Sequence, residues 1–193
     1  MAAEYTKDDV RVWGSLGGAV FYAPKGTPLP ADHSVDLDDD FIPVGILSED
    51  GITEALSVDV NKIKGWPGGQ TVRITNTSTE KTVQFTMLEN SPLAAKLYYG
   101  ASDPVSAGTG ARVDIASAIP TVEGTFVIEK HDGDVVERRC IDVAQVSERG
   151  DKTATNEDVS GFECTLDIIG DVDYIVTNAP SYVDALAGGG SGD

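Results

Sequence analysis

The stretch Thr82-Val83-Gln84-Phe85-Thr86-Met87 alternates polar and apolar residues without a break, and this period of two constrains the fold more than any other feature. A β-strand sends successive side chains to opposite faces, so the segment has one buried face and one wet face. Phe162, Cys164, Leu166 and Ile168 repeat the pattern, alternating with Glu163, Thr165 and Asp167. Short strands need frequent turns, and 21 glycines and nine prolines supply them. At 193 residues and 40% apolar composition, the chain suits one compact domain with a sizeable core.

The rest of the chain reads as strands and turns with a single helix. Residues 1–9 are polar and predict a flexible arm. Two short apolar runs follow, at 11–13 and 19–23, and then a long loop from Pro24 to the acidic stretch Asp36-Leu37-Asp38-Asp39-Asp40. Residues 41–47 are strand-like, Ser48-Glu49-Asp50-Gly51 has turn chemistry, and 52–60 is expected to pair back. Trp66-Pro67-Gly68-Gly69 breaks the chain again. Val72 and Ile74 predict a further strand, with 75–80 as a polar hairpin leading into 82–87. Ser91-Pro92 combines an N-cap with proline at the first helical position, and Gly100 stops the element. Residues 101–120 form a loose connection, after which Asp132-Gly133 predicts a type I′ hairpin. The sum is eight to ten strands and one helix. It describes a mainly β protein, a sandwich or partly open barrel of two packed sheets with one flanking α-helix. The boundaries are an arm over 1–9, a β domain over 10–180 and a flexible glycine-rich tail over 181–193.

Fourteen basic against 32 acidic residues give a formal charge of −18. Reading or wrapping a nucleic acid needs a basic footprint, and this balance is the opposite. Such charge ordinarily serves solubility; its functional reading is a surface that lets DNA or another anion slide past without sticking, and charge alone does not choose between the two. No run approaches the roughly 18 apolar residues of a spanning helix, and the N-terminus lacks a signal-peptide core, so the expectation is a cytoplasmic protein with no membrane insertion. Cys140 and Cys164 lack metal-ligand spacing and sit in strand-like runs, which predicts reduced, buried thiols.

The patterns that carry catalysis or metal binding fail at named positions. Asp36, Asp38 and Asp40 imitate the start of a calcium loop, but Phe41 stands where glycine must make the sharp turn and Leu47 where a bidentate glutamate belongs. Gly14-Ser15-Leu16-Gly17-Gly18 lacks dinucleotide-binding spacing and a following helix. His33 and His131 lie in turn-rich segments, with no nucleophile placed beside either by sequence. The chain therefore reads as a non-enzyme with no catalytic residues, cofactor or metal.

The segments that obey no general rule carry a resemblance. The run from Trp13 through Gly14, Gly17, Gly18 and Phe21 to Pro30 resembles the N-terminal part of major tail proteins of actinobacterial phages. Val44-Gly45-Ile46-Leu47-Ser48-Glu49-Asp50-Gly51-Ile52-Thr53 resembles a second passage of the same family. Gly65-Trp66 with Gly68-Gly69, Leu88-Glu89-Asn90, Tyr99-Gly100 and the hairpin ahead of Arg138-Arg139 continue it in order. The resemblance spans about residues 10–170. It implies a phage tail tube fold, in which subunits form hexameric rings that stack around a central channel. Its implied partners are further copies of itself, a tape-measure protein, a tail terminator and a distal tail protein, with DNA in transit through the lumen. The implied location is the virion tail, assembled in the host bacterial cytoplasm.

Such a ring would carry six copies at −18 each, −108 formal charges, so assembly must bury apolar surface and pair edge strands to overcome repulsion. Trp13, Phe21, Tyr22 and Trp66 lie in glycine-rich segments without a clear period, and they are candidate subunit-interface anchors as well as candidate core residues. The rival reading is a virion-surface or secretion-tube β-sandwich binding module.

Overall fold

The computed structural model describes residues 9–14 and 17–188, with side chains as far as Leu186. Ten strands and two helices are present among them. The expected arm over 1–9 lies, but for Asp9, outside the described residues, as does the end of the expected tail from 189. Where the sequence suggests one domain, contacts gather the chain into two compact units. The first holds residues up to 46, 123–144 and 170 onward; the second holds 47–122 and 145–169.

In the first unit, β1 (Ala19–Ala23) pairs antiparallel with β7 (Glu123–Asp132), and the short β2 (Ile42–Pro43) adds to the other edge of β1. β7 turns into β8 (Val135–Arg149) through Gly133-Asp134. The hairpin is the expected one, but the turn is not type I′. Only Gly133 has positive φ, at 60°, and glycine at the first central position is the requirement of type II′. β10 (Asp173–Thr177) pairs with residues 137–141 of β8. The centre of β7 is buried over five consecutive residues, Gly124 to Ile128, as befits a strand covered on both faces. Gly124 is required there, because a Cβ would lie 2.3 Å from the Tyr22 ring and 2.8 Å from the Ala23 carbonyl oxygen. Thr125, the one buried polar residue among the described residues, is satisfied: its Oγ1 donates to Asp142 O at 2.8 Å and accepts from Gly26 N at 3.3 Å. Ala23, Phe41, Val127 and Cys140 form the core, with Phe21, Leu37 and Tyr174 packed against it.

In the second unit, β9 (Phe162–Ile168) pairs with β4 (Thr71–Met87), and β4 with β3 (Leu47–Lys64). The alternation in the two strands with the clearest pattern meets in register: Val83, Phe85 and Met87 oppose Leu166, Cys164 and Phe162, and all six are buried. Helix α1 (Pro92–Tyr99) begins as its caps require. Ser91 Oγ accepts from Ala94 N at 3.1 Å, and Gly100 closes the helix in the left-handed region at φ 63°. Tyr98 and Tyr99 meet the edge of Phe162 at 5.5 and 6.2 Å, which seats the helix on β9. Within the loose connection, β5 (Val105–Ala107) and β6 (Gly110–Arg112) make a small hairpin.

Three local expectations are corrected. Ser48-Glu49-Asp50-Gly51 is not a turn between strands but an irregularity inside β3, where Leu47 pairs with Met87 and Ile52 already pairs with Phe85. Residues 75–80 are not a hairpin; they belong to β4, where they face 57–61. A second helix, α2 (Pro180–Gly188), occupies residues assigned by composition to the tail, so the fold has two helices where one was expected. Proline at its first position fits a helix start, a local signal masked by the glycines that follow.

Candidate assembly surface

The residues that stand out belong to the outer part of β3 and β4. β9 pairs with β4 only from Thr82 to Met87, whereas β3 and β4 continue to pair as far as Lys64 and Thr71. From Leu56 and Lys81 outward they form a two-stranded ribbon that pairs with no other strand among the described residues. Every β3 residue from Thr53 to Lys64 is exposed. The register steps at Asp59/Val60 and again at Ile63/Lys64. At the first step Thr77 Oγ1 donates to Asp59 O at 3.0 Å and Ser78 Oγ to Asp59 Oδ2 at 3.0 Å, which fixes the local bend. The ribbon closes through residues 65–70, with Gly65 N donating to Gln70 O at 2.8 Å.

The two faces differ in chemistry. Leu56, Val58 and Val60 alternate along one face of β3, and Ile74 shares that face through its pairing with Lys62. These four remain 68, 42, 44 and 57% exposed. The other face carries Ser57, Asp59, Asn61, Thr75, Ser78 and Glu80, with Ile63 and its partner Arg73 towards the tip. A long edge strand with an uncovered apolar stripe pairs with whatever fits it, so it needs a cover in the working state. In the sequence, 52–60 is expected only to pair back as an ordinary strand. The signal that distinguishes it is the absence of a third strand to bury the stripe.

The wet face of the same sheet continues inward as a hydroxyl- and carboxylate-rich surface. Thr53, Thr82, Gln84, Thr165, Asp167, Ser147 and Glu80 line one shallow depression. Ser147 Oγ donates to Asp167 Oδ1 at 2.9 Å, and Gln84 Nε2 donates to Glu163 Oε1. These side chains are held by one another and keep acceptor oxygens towards water.

The structure scatters the four aromatic candidates. Trp66 stands at the ribbon tip, 94% exposed. Trp13 is 37% exposed, with Lys130 Nζ 5.8 Å from its ring centroid. Phe21 is half-buried against the first unit's core. Tyr22 is buried, edge-on to its cross-strand partner Phe126 at 5.4 Å, so its surface is used within its own unit.

A family model described as phage tail tube protein matches residues 5–178. The chain belongs to that family. It is therefore a structural component of a phage tail, and its β-rich architecture agrees with that assignment. Among solved structures, this tail tube protein is similar to one described as "Tail of empty GTA particle computed with helical refinement, C6 symmetry". The alignment covers 89% of this chain and 98% of that one at 8% identity, with a TM-score of 0.45. No curated protein matches the chain.

Several ionisable groups of the tail tube protein are held by neighbours within the subunit. His131 Nε2 lies 2.7 Å from Glu129 Oε1, and Glu129 also takes Arg138 Nε at 2.5 Å. His33 Nδ1 lies 3.0 Å from Asp32 Oδ1. Hydrogen bonds from the Ser34 backbone and hydroxyl hold Asp32 below its usual pKa. Burial pushes the Cys140 thiol up to about 11 and the Cys164 thiol up to about 12, so both are protonated and poor nucleophiles at neutral pH. Among the described residues, no three His, Cys, Asp or Glu side chains are placed to hold a metal ion.

Proposed function

We propose that the protein self-assembles into stacked hexameric rings, and that the β3–β4 ribbon is the element by which one copy grips the next. The uncovered stripe of Leu56, Val58, Val60 and Ile74 on an unpaired edge strand carries the reading. Covering the stripe removes apolar surface from water, and a strand added along the free edge of β3 satisfies an open row of backbone groups. That is the kind of gain needed against the repulsion between copies charged at −18. Trp66, Trp13 and Phe21 add contact surface, Trp66 foremost because nothing in its own subunit covers it.

The hydroxyl- and acid-rich face of β4 and β9 turns towards the channel, where carboxylates repel DNA phosphates and keep the genome from adhering as it passes. The tube grows in the host cytoplasm against a tape-measure protein, between a distal tail protein and a terminator. The protein works as a scaffold and conduit and carries out no catalysis.

The direct test is a concentration series of purified protein at low and raised salt, followed by negative-stain microscopy and sedimentation. Rings or hollow tubes with six-fold end views are the expected result. A protein that remains monomeric throughout the series refutes self-assembly, and tubes of another symmetry refute the hexamer.

A further inference from the structure

In this acidic chain nearly every described cation is engaged. Arg139 forks onto Asp173, Lys25 meets Glu123 at 2.8 Å, Lys130 meets Glu137 at 2.7 Å, and Lys152 sits 3.4 Å from the Phe162 ring centroid. Lys62, Lys64 and Arg73 are different. Their side chains have no ion pair, hydrogen bond or ring contact among the described residues, and all three are exposed. They lie together at the outer end of the ribbon, where Ile63 pairs with Arg73 and Lys62 with Ile74. Residues 60–79 contain these three cations and no acid, a local +3 in a chain of −18. Lys62 stands on the face of the apolar stripe and Arg73, opposite Ile63, on the other, so the outer end of the ribbon is a cationic tip; with 32 carboxylates available in the chain, three unpaired cations at one tip mark a surface awaiting an acidic partner.

The densest run of unpaired acid in the molecule fits that description. Asp36, Asp38, Asp39 and Asp40 are all exposed, and none is in an ion pair among the described residues. Asp38 Oδ1 accepts from Asp40 N at 3.1 Å, so the loop holds its own shape with its remaining carboxylate oxygens free. We propose that the cationic end of the ribbon in one copy docks on the 36–40 loop of a second copy. The apolar stripe supplies the area of this contact and the charges set its register and exclude the wrong neighbour. The proposal rests on the tube reading above and assigns the partner surface to it. A duplex is the lesser candidate, since three phosphate contacts give little affinity and the field of the whole chain repels DNA.

Salt is a poor probe, because it screens both this attraction and the overall repulsion. Charge reversal separates them. The variant K62E/K64E/R73E and the variant D36K/D39K/D40K should each need at least ~100-fold more protein than the wild type to form tubes, and the chain carrying all six changes should form them again at near wild-type concentration. All six sites are exposed, so the melting curve by circular dichroism should not move. If a reversal variant does not fold, the neutral set K62Q/K64Q/R73Q replaces it, with a rise of at least ~10-fold expected. Wild-type tubes together with unimpaired K62E/K64E/R73E tubes overturn the docking while leaving the tube reading intact. Loss in both single sets without rescue in the combined chain overturns the choice of the 36–40 loop. Absence of tubes from the wild type overturns the tube reading and the docking with it. Retardation of a DNA duplex by the wild type but not by a K62E/K64E/R73E protein that still builds tubes assigns the cations to phosphate instead.

Discussion

Val58→Asp should abolish assembly and barely touch the folded subunit. Val58 is 42% exposed at the centre of the stripe, opposite Thr79, on a ribbon that pairs with no third strand. Leu56, Val58, Val60 and Ile74 leave about half of each side chain in water, or about two whole side chains together. At about 1.5–3 kcal/mol per fully buried side chain, covering them contributes ~3–6 kcal/mol per ribbon before ordering costs. The aspartate forfeits roughly 1 kcal/mol of that burial and places a carboxylate in an apolar contact, which costs several kcal/mol more. Since about 1.4 kcal/mol is tenfold in an equilibrium constant, the concentration needed for tubes should rise at least ~100-fold. In the free subunit the change costs only strand propensity, within about 1 kcal/mol. The assay pairs pelleting across a concentration series with a urea melt of the dispersed protein. Tubes at wild-type concentration, or a subunit destabilised by well over 1 kcal/mol, would refute the view that this residue faces outward for assembly.

Phe162→Ala removes a ring that is 1% exposed and is touched edge-on by Tyr98 and Tyr99; urea unfolding should show a loss of about 3–5 kcal/mol. Arg139→Ala leaves Asp173, whose carboxylate is 10% exposed, without its two-pronged partner, and should cost about 3–5 kcal/mol with earlier hydrogen exchange in β10 than in β7. Both thiols have pKa values raised by burial, so they hold their protons in the folded state after the unfolded chain has begun to release them. The contribution of the thiols should be flat below about pH 9, and stability should fall between pH 9 and about 12, with a shallower fall in Cys164→Ala after allowing for its cavity. At pH 8, alkylation of Cys140 and Cys164 should proceed only as fast as the protein opens; rapid labelling of the folded protein would contradict their burial.

What the sequence makes legible is what neighbours decide. The caps of α1 are side-chain and glycine signals within ten residues, and they read correctly. The strand at 162–168 is fixed by alternation and matches the observed limits, and the apolar run at 19–23 is a strand of the same bounds. The length of the ribbon is a different matter. Ser48-Glu49-Asp50-Gly51 and 75–80 are locally turn-like, and only their pairing with residues far along the chain makes strands of them. Aromaticity was equally ambiguous, since Tyr22 and Trp66 look alike in sequence and lie at opposite extremes of burial. The more informative signal was the segregation of three cations into a stretch with no acid, visible in the sequence but given meaning by the ribbon that gathers them.

The two steps in register along the ribbon, at Asp59/Val60 and Ile63/Lys64, also bear on how errors are removed during growth. A flat edge accepts a strand shifted by two residues almost as well as one seated correctly, and a misplaced copy then stays. A stepped edge offers the full set of backbone partners in one seating alone. A copy that arrives out of place forms fewer bonds and leaves sooner, so fidelity along a long tube would follow from dissociation rates, with no separate checking factor.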